Sequence, residues 1–269
     1  MMSRTLRLSD GTAARVIEAG VIGAGAGEPL LLIHGVGLRA EAWGPQIADL
    51  SHEVHVIAVD MPGHGESDLL PQGARLHDYV AWAARVITAL NLGPVNVAGH
   101  SMGSLIAGGL AVEHPGLVRR VALLNGVYLR DEAARQAVLA RADQIAAGTG
   151  QITGPLDRWF GADERALRDQ VAGWLSAVNP AGYAAAYRAF AEGDGVYAGQ
   201  LGCITCPALV LTGEGDANST PAMTQTMAAM MPRGAAHVIA GHRHMVNLTA
   251  PDAVSAALRD WLQRPGGQA

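Results

Sequence analysis

The chain has no run of basic residues, and that absence removes the first class of partner. Its 269 residues hold 19 Lys and Arg against 24 Asp and Glu, a formal net charge of −5, whereas a nucleic-acid surface shows as a basic excess clustered on one face. Long apolar runs are absent too. Runs such as LLLI at 30–33 and VALL at 121–124 fall far short of the roughly 18 residues of a spanning helix, so no membrane association is expected. The opening MMSRTLRLSD lacks the apolar stretch of a secretory signal, and a cytoplasmic protein is the expectation. Cysteine is scarce: Cys203 and Cys206 form a single CxxC, half of a zinc site at most, and are read as small hydrophobic thiols packed beside the strand that Pro207 leads. No H-x-x-x-H spacing with a carboxylate partner on one helix occurs, so neither a metal nor another cofactor is expected.

What is present suits one large α/β domain, since a chain of this length can bury about three quarters of its unfolded surface. Short apolar runs at Ala13–Glu18, Pro29–His34, Val54–Val59, Val95–Ala98, Val118–Leu124, Ala208–Thr212 and Ala235–Ile239 read as strands buried on both faces. They alternate with helical patterns at Leu76–Leu90, Ser101–Glu113, Pro221–Met231 and Pro251–Leu262, which predicts a mostly parallel central sheet flanked by helices. From about Tyr128 to Gly199 no strand pattern occurs. A helical cap at 128–199, inserted into a core of 1–127 and 200–269, is therefore expected. The cap holds eight of the twelve aromatic residues, which either wall an apolar pocket or form a small core of the cap's own.

The stretch VAGHSMGSLIAGG, Val97 to Gly109, sets Ser101 between Gly99 and Gly103, after the strand VNVA and before a helical run. This is G-x-S-x-G in the setting the motif requires, a strand turning sharply into a helix so that the corner residue is lifted outward between small neighbours. Ser101 is the candidate nucleophile. A serine hydroxyl needs a base, and the base needs a group to orient it. Of ten histidines, His52, His55, His77 and His114 lie at loop edges or on helix faces. His64, in the glycine-rich DMPGHGES, reads as a loop-shaping or pocket-rim residue. His100 must leave the turn in a different direction from Ser101. AGHRHMVNLTAP leaves His242 and His244 as candidate bases, and LVLTGEGDAN offers Glu214 and Asp216 as acids. Asn125, after the strand ending at Leu124, holds an alternative acid position, but an amide cannot stabilise an imidazolium as a carboxylate does, so Asp216 is preferred. Acyl transfer also requires donors aimed at the oxyanion, each worth roughly 3 kcal/mol. The backbone N–H groups of Val36, in the loop His34-Gly35-Val36-Gly37, and of Met102, at a helix start, are the candidates. A phosphate-cradling loop would need the lysine and hydroxyl of G-x-x-x-x-G-K-[ST], which these glycines lack.

HGVG, DMPGHGES, GHSMG, the G-E-G-D turn and H-M-V-N-L-x-x-P follow one another over about residues 10 to 263, and together they resemble the α/β-hydrolase superfamily. The resemblance implies the α/β-hydrolase fold and the chain order Ser, acid, His, here Ser101, Asp216 and His244. His244 is favoured over His242 because the family's histidine sits seven residues before the proline, here Pro251. Arg243 departs from the small residue usual before that histidine. Within the superfamily, LDRWFG and NPAGYAAAYRAFAEGD are similar to the cap of 3-oxoadipate enol-lactonases and related carboxylesterases. That likeness implies a serine hydrolase of a small ester or lactone, with an acyl-enzyme on Ser101 and His34, Gly35, Gly37, His100, Tyr128, Trp159, Phe160 and Tyr187 around the substrate. Cleavage of a carbon–carbon bond in a vinylogous diketone by the same residues is the alternative, and a ligand receptor on this fold with slow turnover is a third. Because enol-lactonase substrates are carboxylates, Arg130, Arg158 and Arg188 are candidates to bind one.

Overall fold

The computed structural model describes residues 1–20, 27–151 and 153–266. Its strands are β1 (Met2–Arg7), β2 (Ala13–Ala19), β3 (Gly27–Ile33), β4 (Val54–Val59), β5 (Val95–His100), β6 (Val118–Leu124), β7 (Ala208–Gly213) and β8 (Gly234–Ile239). They form one sheet in the order β1-β2-β4-β3-β5-β6-β7-β8. β2 runs antiparallel to both β1 and β4, and every other neighbouring pair is parallel. The helices are α1 (Gly44–Leu50), α2 (Leu76–Leu90), α3 (Met102–Glu113), α4 (Glu132–Ala146), α5 (Thr153–Trp159), α6 (Arg165–Ala177), α7 (Pro180–Gly193), α8 (Pro221–Met230), α9 (Val246–Thr249) and α10 (Pro251–Leu262).

β5 and β7 are buried at every position because helices cover both faces of the sheet. Side chains alternate between two cores. Leu31, Ile33, Val59, Val97 and Leu123 pack with α2, α3 and α8, whereas Leu30, Leu32, Ala58, Ala98 and Leu124 pack with α1 and α10. α2 buries Leu76, Tyr79, Val80, Ala83, Val86, Ile87 and Leu90, an apolar stripe at helical spacing. It ends on Asn91 at φ 53°, a left-handed stop that asparagine tolerates better than most residues. The sequence predicts neither β1 nor α1. Five of the six β1 side chains are exposed, so an edge strand of this kind leaves no apolar alternation to detect.

α3 is buried along nearly its whole length, and its paired glycines are not equivalent. A Cβ at Gly109 would lie 2.5 Å from Val80 Cγ2 and 2.6 Å from Tyr197 Cε2, whereas one at Gly108 would meet nothing nearer than Leu123 Cδ2 at 3.8 Å. Close packing against α2 therefore requires glycine only at 109. Cys206 is buried, which pushes its thiol up to about 11, while Cys203 is exposed rather than packed against the sheet.

The helices α4 to α7 lie between β6 and β7, in the stretch expected from sequence to form a cap, and are called the cap below. Among the described residues, the large buried apolar side chains of these helices are continuous with the main core. Leu156, Phe160, Val171, Leu175 and Tyr183 belong to the same buried cluster as α2 and α3. Arg130 donates its backbone N–H to Asp194 Oδ2 at 2.7 Å and brings its guanidinium to 3.3 Å from the same buried carboxylate, which joins the start of the cap to its end. Because β3, β5, β6, β7 and β8 are parallel, the loops carrying Val36, Ser101, Asn125, Asp216 and His244 all leave one edge of the sheet, where α/β folds place their ligands.

Candidate active site

Ser101 stands at the corner between β5 and α3 with φ 55° and ψ −115°, a strained conformation for a residue with a side chain. The corner is held by backbone: Ser101 N–H donates to Leu124 O at 2.8 Å, and Ser104 Oγ donates to Ser101 O at 2.6 Å. A Cβ at Gly99 would lie 1.9 Å from Gly103 O, and one at Gly103 would lie 2.2 Å from Ile33 O. The two glycines are thus required because α3 begins against the ends of β3 and β5.

His244 donates its Nδ1–H to Asp216 Oδ2 at 2.8 Å, with both side chains buried. His242 is turned elsewhere, with Nδ1 3.0 Å from Thr249 Oγ1. Asp216 accepts three further hydrogen bonds: Asn218 N–H at 2.8 Å and Ser219 N–H at 3.2 Å on Oδ1, and Asn125 Nδ2 at 2.8 Å on Oδ2. Burial alone would push the Asp216 carboxyl up. The charge and hydrogen bond of His244, with the bonds from Asn125 and Asn218, outweigh burial and hold the carboxyl below its ordinary value. Asn125, at the alternative acid position of the sequence reading, instead donates to Asp216 in the loop after the neighbouring strand β7. No hydrogen bond joins Ser101 Oγ to His244 among the described residues, but both line one cavity of about 480 Å³. Serine–histidine contacts of this kind are often long until substrate engages.

The His244 ring, the candidate base, is also held from α5. Trp159 stacks on the His244 ring at 5.5 Å and 29°. Arg243 Nη1 donates to Phe160 O at 2.7 Å and Asp157 O at 3.1 Å, so the unusual arginine before His244 grips the end of α5, where a cation meets unpaired carbonyls.

Three buried imidazoles hold the loops around Ser101 in place. His34 donates from Nδ1 to Gly35 O at 2.7 Å and accepts Met61 N–H on Nε2 at 2.9 Å. His64 donates from Nδ1 to Pro62 O at 3.0 Å and accepts Gly37 N–H on Nε2 at 2.9 Å. His100 donates from Nε2 to His244 O at 2.8 Å. Their hydrogen-bond partners fix these tautomers. In His34 and His64 each nitrogen already has its own partner, so a second proton would break a bond. The loop carrying Val36 is thereby clamped on both sides. Burial lowers His34 to about 4, and His64 and His100 to about 3.

A histidine in the unfolded chain takes up its proton near pH 6.5. Unfolding therefore binds protons between that pH and the lowered folded values, and stability falls as pH falls through this window, by up to about 1.4 kcal/mol per pH unit for each histidine. Thermal melts from pH 7 to 4 are expected to show a falling Tm, with a shallower fall in His64→Gln. A Tm that does not change across that range would contradict the neutral-imidazole assignment.

Residues 30–257 match the alpha/beta hydrolase family. The chain belongs to that family. It is 54% identical over 265 residues, 98% of the chain and 99% of the relative, to the (E)-2-((N-methylformamido)methylene)succinate hydrolase of Acinetobacter baylyi. Among solved structures, a thermophilic esterase from Thermogutta terrifontis, solved with malate bound, superposes with TM-score 0.88 at 24% identity, covering 99% of this chain and 100% of that one. The enol-lactonase from Burkholderia xenovorans LB400 does so with TM-score 0.85 at 24% identity, covering 97% and 100%. Both share the fold.

The cavity of this α/β hydrolase is lined by Gly35, Val36, His100, Ser101, Trp159, Tyr187 and His244, all expected from sequence. Four other expected pocket residues do not line it. His34 is fully buried behind the loop that it clamps. Gly37, at φ 80°, faces the cap, where a Cβ would meet Leu175 Cδ2 at 2.4 Å. Tyr128 turns its hydroxyl to Met230 Sδ at 3.1 Å. Phe160 is buried in the core, and only its carbonyl takes part, as the acceptor for Arg243. Met102 is fully buried and opens α3, so the helix N-terminus lies next to Ser101. Arg141, which the sequence reading does not single out, lines the cavity, and so do Tyr183 and Phe190, two of the eight cap aromatics expected either to wall a pocket or to form a small core. Tyr183, Tyr187 and Phe190 form a ladder along α7, with ring centroids 5.9 and 5.8 Å apart, and their three- and four-residue spacing could have revealed it.

Proposed function

We propose that this hydrolase cleaves a small carboxylate-bearing acyl compound through an acyl-enzyme on Ser101, and that its substrate is an N-formyl enamine of a dicarboxylic acid. The observation that carries this reading is the 54% identity, over nearly the whole of both chains, to a hydrolase named for such a compound. The local geometry supports it, since His244, bonded to Asp216, and Ser101 line the same cavity.

Ser101 Oγ gives its proton to His244 Nε2 and attacks the formyl carbon. The oxyanion is received by the N–H groups of Val36 and Met102. The carbon–nitrogen bond then breaks, and His244 returns the proton to the leaving nitrogen. Water, deprotonated by His244, attacks the formyl ester, releasing formate and restoring Ser101. Asp216 stays ionised throughout and stabilises the imidazolium. An ester, a lactone or the carbon–carbon bond of a vinylogous diketone would meet the same residues.

Those compounds set the test. With (E)-2-((N-methylformamido)methylene)succinate, an enol-lactone, p-nitrophenyl acetate and a vinylogous diketone acid offered separately, kcat/KM is expected to be highest for the first, with one formate released per turnover. The margin over the neutral ester is expected to be at least about 100-fold, the worth of charge-assisted hydrogen bonds. A higher kcat/KM for the lactone or the diketone would overturn the assignment.

A further inference from the structure

We infer that Arg141 and Arg158, on the cap wall of the cavity, form the subsite that receives the substrate's carboxylates. This rests on the proposed reading that the substrate is a dicarboxylate. The chain contains no lysine, so every long cationic side chain is an arginine, and counter-charges sort the arginines of the cap. Arg130 lines the cavity but is paired with buried Asp194, and its Cζ lies 4.4 Å from the centroid of the Phe190 ring. Arg168 pairs with Asp157 at 2.8 Å. Arg188 pairs with Asp143 and Glu192 and lies outside the cavity wall. Arg141 and Arg158 both line the cavity, and among the described residues no carboxylate lies within 4.0 Å of either.

Arg141 is also held in place. Its Nη2 donates to Gln151 O at 2.9 Å, its Cζ lies 5.6 Å from the Tyr187 ring centroid, and its Nε is buried without a partner. A cation that is half desolvated and uncompensated is unfavourable until an anion joins it. Arg158 is exposed on α5, one residue before the tryptophan that stacks on His244. Burial pushes the Tyr187 hydroxyl up, and Arg141, Arg130 and Arg158 all pull against it, so positive charge converges on this part of the cap wall. Among the described residues the one carboxylate on the wall, Asp131, is exposed and caps α4 by accepting Ala134 N–H at 2.7 Å. Ser101, His100 and His244 line the same cavity from the core side. A dianion with its acyl carbonyl at Ser101 therefore meets two guanidiniums that, among the described residues, no carboxylate occupies, although Arg141 keeps Nη2 on Gln151 O, and arginine is the side chain suited to binding carboxylates.

Calorimetric titration with succinate tests this without relying on turnover. Wild type is expected to bind succinate more tightly than dimethyl succinate. Arg141→Gln and Arg158→Gln are each expected to raise the succinate Kd at least tenfold, with Arg141→Lys and Arg158→Lys recovering part of the loss. Because Arg158 is exposed, Arg158→Gln keeps the test available even where Arg141→Gln unfolds, and thermal melts identify that case. Equal Kd values in wild type and the folded variants, or equal binding of succinate and its diester, would overturn the subsite. Failure of the formate assay with succinate binding intact would overturn only the choice of acyl group.

Discussion

Ser101→Ala is expected to lower kcat by at least about 10⁴-fold, while the melting behaviour stays within about 1 kcal/mol of wild type, as for substitutions that remove no packing. The corner is held by the backbone N–H and carbonyl of residue 101, bonded to Leu124 O and Ser104 Oγ, and alanine keeps both. The hydroxyl holds no element in place, so its loss should register in chemistry and not in folding. Residual turnover should persist, because the oxyanion donors and the binding cavity remain. Formate release under single-turnover conditions, paired with a thermal melt, checks both halves. Retention of more than a tenth of the wild-type rate would place the nucleophile elsewhere.

The second large effect is expected at Asp216→Asn, a loss of about 10³- to 10⁴-fold in kcat, this time with a cost in stability of about 2–3 kcal/mol. The carboxylate accepts from Asn218 N–H and Ser219 N–H on one oxygen, and from Asn125 Nδ2 and His244 Nδ1 on the other. An amide that keeps its oxygen toward the two backbone donors must turn its NH₂ toward two further donors. The ring then shifts its proton to Nε2 to relieve the clash and can no longer accept one from Ser101. In wild type the lowered folded value of Asp216 means that its stabilisation is full above the unfolded carboxylate value, about 3.9, and is lost as pH falls through the folded value. The amide variant, which has no proton to gain there, should lack that acid-side loss. Steady-state kinetics and urea melts of the variant at pH 7, and melts between pH 5 and 3, read all three effects. A variant with near-wild-type kcat would show that Asp216 does not orient the base.

The fold was legible where burial on both faces leaves continuous apolar runs and where steric demand leaves no choice of residue. α2 and α10 have the bounds that their helical spacing predicts, and Gly99 and Gly103 are required by backbone oxygens near 2 Å from any added Cβ. Features that depend on a distant partner were not legible. Asn125 reads as a weak acid substitute until β6 and β7 pair and bring it against Asp216, 91 residues away. The cap arginines look alike along the chain, and carboxylates distant in sequence show which of them are already paired: Asp194 for Arg130, 64 residues away, Asp157 for Arg168 and Asp143 for Arg188. His34 and Gly37 share a loop with Val36, yet the turn at Gly37 and the clamp from His64 point them away from the cavity. Such orientations are set by tertiary hydrogen bonds, which adjacency in sequence does not encode.

The central claim is that Ser101 is a nucleophile activated by His244, and peptide mass spectrometry after reaction with a fluorophosphonate tests it most directly. The expected result is one phosphonyl adduct, on the peptide containing Ser101, absent from Ser101→Ala and formed far more slowly in His244→Ala. An adduct on a different residue, or labelling of Ser101→Ala at the wild-type rate, would contradict the account.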